Sequence, residues 1–287
     1  MATFNEKKTC SQRMENFSRF MWNSDTGELM GRTLEMWVYI SLYYAAFYCI
    51  MIGLFALSIF SLMKTLDPYH PDYQDRLKAP GVTMRPNIYV DDEFQVIYNV
   101  TENSSYNSTV TSLCDFLSVY KVKTQEEMMN KNCTNVTNVE ELLTGAGRTK
   151  YACQFTTAML GKCSHEYDSS FGYASGQPCV FIKVNRIINF VPHNHSVPFV
   201  NCTAKKGDFG PVEFFPNDGR FGLQYFPYYG RKAQPNYTNP LVAVKFLNVT
   251  RNTEYVVECS IVGQGFITDN IHDPYEGKVS FRLKIEN

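Results

Sequence analysis

The sequence predicts a single transmembrane helix followed by a mainly-β, disulfide-bonded ectodomain. Three observations carry this expectation. A charge-free apolar run extends from Met36 to Met63, sequons and cysteines crowd the chain beyond it, and short β-branched and aromatic segments alternate with turn residues. The 287 residues suit one or two domains with a sizeable core. A formal net charge of -1 argues against a nucleic-acid partner, because phosphate binding needs a basic face. Aromatics at 15% favour strands and interface contacts over disorder.

Residues 1–35 read as a cytosolic tail and residues 36–63 as a signal-anchor helix. Glu35 and Lys64 bound the run. As a helix it is roughly 42 Å long, against about 30 Å of hydrocarbon, so it spans with tilt or with its aromatic ends in the interfaces. A buried helix of a soluble protein needs a polar face, which this run lacks. A cleaved signal peptide has a shorter apolar region that starts earlier. Flanking charge is a weak guide to orientation, since Lys7, Lys8, Arg13, Arg19 and Arg32 precede the span while Lys64, Arg76, Lys78 and Arg85 follow it.

Downstream residues fix the orientation. Sequons begin at Asn99, Asn103, Asn107, Asn132, Asn135, Asn194, Asn201, Asn236 and Asn248. One sequon is weak evidence; this density beside many cysteines points to the secretory lumen. Asn16 also begins a sequon, which stays bare on the cytosolic side. The cysteines beyond the span are Cys114, Cys133, Cys153, Cys163, Cys179, Cys202 and Cys259. An oxidising compartment makes disulfides the default, with one cysteine left over and the pairing open. Zinc is disfavoured, because no C-x-x-C pair exists. Each bridge stabilises the fold by roughly 2–4 kcal/mol.

Proline-spaced residues 64–90 read as an extended stalk and residues 91–287 as a glycosylated β-sandwich. Strands are expected at Val180–Val184, Leu241–Val249, Tyr255–Val262 and Lys278–Ile285. The last places Val279, Phe281, Leu283 and Ile285 on one face. Short helices are expected at Glu126–Lys131 and Thr156–Leu160, and a turn at Asn217-Asp218-Gly219.

A search for chemistry finds no acid, base or nucleophile set, and no cofactor or metal is expected. Gly172-Tyr173-Ala174-Ser175-Gly176 lacks the G-x-S-x-G spacing and reads as a turn before Cys179. His193-Asn194-His195 reads as a glycan-bearing loop, and Asp91-Asp92-Glu93 as an acidic turn before the strand Phe94–Tyr98. Aromatic surface is the stronger signal. The span carries Tyr39, Tyr43, Tyr44, Phe47 and Tyr48, and positions 40, 44, 47, 48 and 51 lie near one helical stripe. Tyrosine hydroxyls inside a bilayer seek partners, so Tyr44 and Tyr48 favour a helix contact over lipid, while Tyr39 suits an interfacial belt. Outside, Tyr225, Phe226, Tyr228 and Tyr229 surround Pro227, which marks an edge or loop. Only alternate residues there can enter a core, so the rest are expected to be exposed as an interaction surface.

At these residues the chain resembles the beta subunits of the X,K-ATPases, over nearly its whole length. The resemblance rests on Trp22-Asn23, Gly31-Arg32-Thr33 and Trp37 around the span. In the ectodomain it rests on Cys153, Leu160, Cys163 and Ser164, on Pro178-Cys179, on Lys183-Val184-Asn185-Arg186 and on Tyr228-Tyr229-Gly230. Within the family it is most similar to the gastric-type H,K-ATPase beta subunit, through Glu6-Lys7-Lys8-Thr9-Cys10, Asp67-Pro68-Tyr69, Pro71-Asp72-Tyr73-Gln74-Asp75, Leu42-Tyr43-Tyr44, Gly53-Leu54-Phe55-Ala56-Leu57 and the run from His272 to Val279. The resemblance implies an immunoglobulin-like sandwich with bridges Cys133–Cys153, Cys163–Cys179 and Cys202–Cys259, leaving Cys114 as a buried free thiol. It implies an αβ heterodimer with the catalytic alpha subunit of an H,K- or Na,K-type ATPase. In that heterodimer Tyr44 and Tyr48, beside Tyr43 and Phe47, would meet an alpha transmembrane helix, and Tyr225, Phe226, Tyr228, Tyr229 and Gly230 would meet an extracellular alpha loop.

Two departures from the family stand out. His165 follows Cys163-Ser164 where the family has glycine; if that glycine supplies a φ > 0 turn, either His165 bears the strain or the turn has changed. Phe17-Ser18-Arg19-Phe20 stands where gastric-type tails carry a tyrosine-based internalisation signal. The implied function is a non-catalytic subunit that lets alpha fold, leave the endoplasmic reticulum and occlude K+ at an apical plasma membrane, in contact with lipid and bearing N-glycans. The rival readings are a Na,K-type beta subunit and an adhesion glycoprotein acting without alpha.

Overall fold

The computed structural model describes residues 9–74, 77, 79–134, 139–193 and 196–287. The expectations on Glu6, Lys7, Lys8, Asp75, Asn135, Asn194 and His195 lie outside the described residues. The chain divides into two compact units, one ending at Leu66 and the other beginning at Asp67.

The first unit holds helix α1 (Cys10–Met21), a hairpin of β1 (Trp22–Asn23) and β2 (Glu28–Leu29), and helix α2 (Leu34–Thr65). The sequence reading assigns no element before the span. The signal lay in Cys10, Met14, Phe17 and Met21, which share one face at helical spacing. At the start of α1 the Thr9 backbone N–H donates to Gln12 Oε1 at 3.0 Å, half of a capping box. The hairpin pairs Trp22 with Leu29 and Asn23 with Glu28. Its turn uses the Asp25 N–H donating to Asn23 Oδ1 at 3.2 Å and Gly27 at φ 66°. Helix α2 runs for 32 residues and buries none of them within the chain. Glu35 in its first turn and Lys64 in its last complement the helix dipole. With no polar face and no buried residue, α2 is the single candidate membrane span among the described residues.

In the second unit the chain order is β3 (Val82–Arg85), β4 (Tyr89–Val90), β5 (Glu93–Asn99), α3 (Asn103–Leu117), α4 (Val122–Glu127), α5 (Val139–Leu142), β6 (Cys179–Val184), β7 (Phe199–Lys206), β8 (Val212–Phe215), β9 (Leu241–Phe246), β10 (Glu254–Val262) and β11 (Lys278–Glu286). These strands build two sheets, ordered β4-β5-β11-β10-β7 and β3-β6-β9-β8. Neighbours are antiparallel except β5 and β11, which run parallel with Phe94 opposite Phe281. The sheets pack face to face. On β10, Tyr255, Val257, Cys259 and Ile261 point inward, and on β11, Val279, Phe281, Leu283 and Ile285 do, as period-two patterning requires. Phe246 of β9 meets Phe281 edge to face across the sandwich, at 6.2 Å between ring centres.

Strand content begins earlier than expected, inside the segment read as stalk. Val82–Arg85 pairs with Val184–Phe181, and Val82 and Met84 are buried. Strand β9 stops at Phe246, short of the expected Val249, and all six of its residues are buried. The helix expected over Glu126–Lys131 sits earlier, as α4, because the chain leaves helical space at Met129, φ 58°. The short helix expected over Thr156–Leu160 is a 3-10 segment over Thr157–Cys163 that breaks at Gly161, φ 52°. Helix α3 escaped the reading behind its sequon-rich surface, although buried Tyr106, Leu113 and Leu117 keep helical spacing.

Strands β6 and β9 are buried on both faces, so the four-stranded sheet needs a second cover opposite the sandwich. Residues 153–173 supply it. Phe171 packs on Phe181 at 6.0 Å, and Leu160 is fully buried. The bridges Cys133–Cys153 and Cys163–Cys179 staple this irregular layer. The third bridge, Cys202–Cys259, joins directly opposed residues of neighbouring strands β7 and β10 within one sheet. Gly172 is needed where the layer turns into β6: its φ is 82°, and a Cβ there would fall 1.9 Å from the Gln177 carbonyl oxygen.

Asp168 organises the same turn. Its carboxylate accepts the Ser170 N–H at 2.8 Å, the Ser170 hydroxyl at 2.7 Å and the Gly172 N–H at 2.9 Å. Burial pushes this carboxyl up, but those hydrogen bonds and the charge of buried Lys245 prevail and hold it below its ordinary value of 3.8. A carboxyl lowered on folding contributes stability above its unfolded value, and that stability is lost as pH falls through the folded value. Asp168→Asn is therefore expected to lower the melting temperature of the full-length chain in detergent at neutral pH. The difference from wild type should shrink as pH drops below 3.8. Parallel acid profiles of the two proteins would refute this role.

Candidate partner interface

Two aromatic groups were expected to meet a partner, and the structure treats them differently. On α2, successive helical turns bring four rings into one cluster. Tyr44 stacks on Tyr48 with centres 6.2 Å apart, and Tyr43 stacks on Phe47 at 6.5 Å. Edge contacts Tyr43–Tyr44 and Phe47–Tyr48 at 5.4 and 5.6 Å join the two stacks. All four side chains are exposed within this chain, so the ridge presents its aromatic surface outward.

The Tyr225–Gly230 block departs from expectation, because Tyr225, Tyr228 and Gly230 are buried and none of its residues is fully exposed. Tyr225 closes the 3-10 segment Leu223–Tyr225 and is buried. Its hydroxyl donates to the Gln154 carbonyl at 3.0 Å, its ring meets Phe155 at 5.8 Å, and burial pushes its pKa up to about 12. Tyr228 is also buried, tilted against Tyr237 at 4.7 Å with the Arg186 guanidinium 5.2 Å from its ring centre. The Tyr237 hydroxyl donates back to the Tyr225 carbonyl at 3.0 Å, so two inward tyrosines brace one another. Gly230 is buried at φ 91°. Phe226, Pro227 and Tyr229 remain half-buried, and the Lys150 ammonium lies 4.1 Å from the Tyr229 ring centre. Burial raises the Tyr229 hydroxyl above its ordinary pKa. The block is thus a rigid platform with a small outer face. The block forms no extended surface of exposed rings, because the 3-10 segment Leu223–Tyr225 abandons strand alternation and none of the block's rings is fully exposed.

Sequence reading missed the supports of this platform. Gln234 receives the Tyr229 N–H on its side-chain oxygen at 3.4 Å and donates to the Tyr151 carbonyl at 2.6 Å. Tyr237 was hidden in the sequon Asn236-Tyr237-Thr238, and Arg186 was noted only as part of a motif.

The remaining candidates fall as follows. Asn103, Asn107, Asn132, Asn201, Asn236 and Asn248 are exposed, and Asn99 is half-buried with its amide donating to the Asn287 carbonyl at 2.7 Å. Cys114 is free but half-buried rather than buried, and burial pushes its thiol pKa up, which keeps it protonated. His165 is exposed, packs 5.8 Å from Phe171 and does not take positive φ, so it carries no left-handed strain. Asp91 and Asp92, at φ 50° and 62°, form the turn into β5, and Glu93 pairs with Arg282. The Ser175 hydroxyl donates to the Gly172 carbonyl at 3.0 Å within its own turn. His193 is exposed. Phe17-Ser18-Arg19-Phe20 lies within helix α1.

The family described as sodium / potassium ATPase beta chain matches residues 7–281. The potassium-transporting ATPase subunit beta of Canis lupus familiaris is 52% identical over 291 residues, covering 100% of both chains. The human protein of the same name is 48% identical over 292 residues, again with full coverage of both. Human sodium/potassium-transporting ATPase subunit beta-2 is 41% identical over 286 residues, covering 98% of this chain and 97% of its own.

Proposed function

The chain belongs to the sodium / potassium ATPase beta chain family, and from that premise we propose that it is the accessory beta subunit of a P-type ATPase that exchanges H+ for K+. The observation that carries the subtype is the end-to-end match to potassium-transporting beta subunits, which exceeds the match to the sodium/potassium type. ATP hydrolysis and ion movement belong to the catalytic alpha subunit. This chain supports alpha's folding and its export to the plasma membrane, with the sandwich outside the cell or in a lumen and the exposed sequons glycosylated there.

The aromatic geometry supports two contacts with alpha. In the bilayer, Tyr44 and Tyr48, flanked by Tyr43 and Phe47, offer a stacked ridge whose hydroxyls gain partners on an alpha helix. Outside, Phe226 and Tyr229 form the outer face of a platform held from within by Tyr225, Tyr228 and Gly230. A subunit that touches alpha at two places shifts its conformational equilibrium only where those contacts differ between states. Modulation of K+ occlusion then follows from unequal contact with the K+-bound and K+-free forms.

Expression of alpha with and without this chain tests the role. Surface alpha and K+-stimulated ATP hydrolysis should rise only with the chain present, accompanied by proton export; equal values without it would refute the role. Sodium export in place of proton export would assign the sodium/potassium type instead. Tyr44→Ala combined with Tyr48→Ala should preserve assembly and shift the K+ activation curve. An unchanged curve would reduce the two tyrosines to lipid-facing residues.

A further inference from the structure

The pump assignment gives no role to α1 and the hairpin that follows it. Helix α1 carries Cys10, Met14, Phe17 and Met21 along one row, with Glu15 and Arg19 opposite, where they form an ion pair at 3.2 Å. The row is exposed within the chain, Met14 at 72% and Phe17 at 61%. Such a face is costly to leave in water.

The hairpin ties this helix to the start of the span. The Met30 N–H donates to the Met21 carbonyl at 3.2 Å, so the chain leaving α1 returns to its end. Leu29 and Arg32 exchange backbone hydrogen bonds at 2.9 and 3.1 Å. The Trp37 indole N–H, in the first turn of α2, donates to the Leu29 carbonyl at 2.8 Å. The end of α1 is thereby held beside the end of a helix that enters the bilayer.

Residue types in the connection agree with that level. The chain has 2 tryptophans, Trp22 in the hairpin and Trp37 at the head of the span. Tryptophan concentrates at the membrane–water boundary, where its ring is buried and its N–H meets water or carbonyls. Trp22 is 59% exposed within the chain, so its ring is available to lipid. Arg13 on α1 and Arg32 beside the span can reach phosphates while their stems lie along the acyl boundary.

We propose that α1 and its hairpin form an interfacial anchor that lies on the lipid headgroups at the N-terminal end of the span, with the Cys10–Met14–Phe17–Met21 row and Trp22 facing the acyl chains. The occupant is lipid because the row is continuous with the bilayer entry of α2 through the hydrogen-bonded hairpin and shares its tryptophan belt. An anchored α1 limits rotation of α2 about its axis, and so holds the tyrosine ridge toward one side. The proposal rests on α2 crossing the membrane and is independent of the partner that the ridge meets.

Tryptophan quenching in full-length chain, reconstituted without any partner into phosphatidylcholine–phosphatidylserine vesicles, tests it. Three variants carry both Trp22→Phe and Trp37→Phe, and each adds one new tryptophan: Phe17→Trp on the row, Arg19→Trp on the opposite face, or Leu54→Trp inside the span. A fourth carries Trp37→Phe alone and reports from native Trp22 with α1 unaltered. Phe17→Trp and Trp22 should lose emission to lipid brominated near the headgroup and resist aqueous acrylamide, while Arg19→Trp does the reverse. Equal acrylamide quenching of Phe17→Trp and Arg19→Trp would overturn the anchor. Resistance to acrylamide without loss to brominated lipid would also overturn it, since protein would then be the cover. Leu54→Trp must lose emission to lipid brominated deep in the acyl chain; if it does not, the span reading fails and the anchor falls with it.

Discussion

The central strands β6 and β9 of the four-stranded ectodomain sheet are buried on both faces, and much of the second unit follows from that constraint. A sheet that faces water on one side alternates its residues, as β10 and β11 do. Strands β6 and β9 do not, so covering one face with the sister sheet leaves the other unsatisfied. The chain between β5 and β6 answers with an irregular layer built on Phe155, Leu160 and Phe171. Irregular backbone loses more entropy per buried contact than a helix or strand that propagates hydrogen bonds, which gives the two bridges in this layer their importance. The Tyr225–Tyr237 platform then rests on the layer through Phe155 and the Gln154 carbonyl. The candidate partner surface proposed here sits on a cover that the buried strands require.

The parts legible in sequence were those with a strict period. The charge-free run yielded α2, and the alternation of Val279, Phe281, Leu283 and Ile285 yielded β11 with its inward face. The disulfide pairs came from the resemblance rather than from spacing, and the structure forms all three. Helix α3 was missed because its outer face is a string of Asn, Ser and Thr that reads as loop chemistry, while the buried Tyr106, Leu113 and Leu117 are sparse. The aromatic block was misjudged for a related reason. Alternation predicts which side chains share a face only in an extended strand, and the 3-10 segment before Phe226 replaces that pattern with a turn that sends both Tyr225 and Tyr228 inward. No local signal announces that Tyr237 and Arg186 close over them.

The membrane helix presents the opposite case. Among the described residues, the rings of Tyr43, Tyr44, Phe47 and Tyr48 stack on each other and on no other ring. Lipid supplies no hydrogen-bonding partners at that depth, and a neighbouring helix does. The two candidate partner surfaces are thus built differently, one braced from within by buried tyrosines and one that we propose is completed by the partner itself.

The central claim is that this ridge faces the alpha subunit of a P-type ATPase, and a photo-crosslinking amino acid at Tyr44 or Tyr48 in cell membranes tests it directly. A partner-facing ridge predicts a covalent adduct with an alpha transmembrane helix from these two positions and markedly less adduct from Phe55. Equal adduct from all three positions, or adduct with lipid alone, would contradict it.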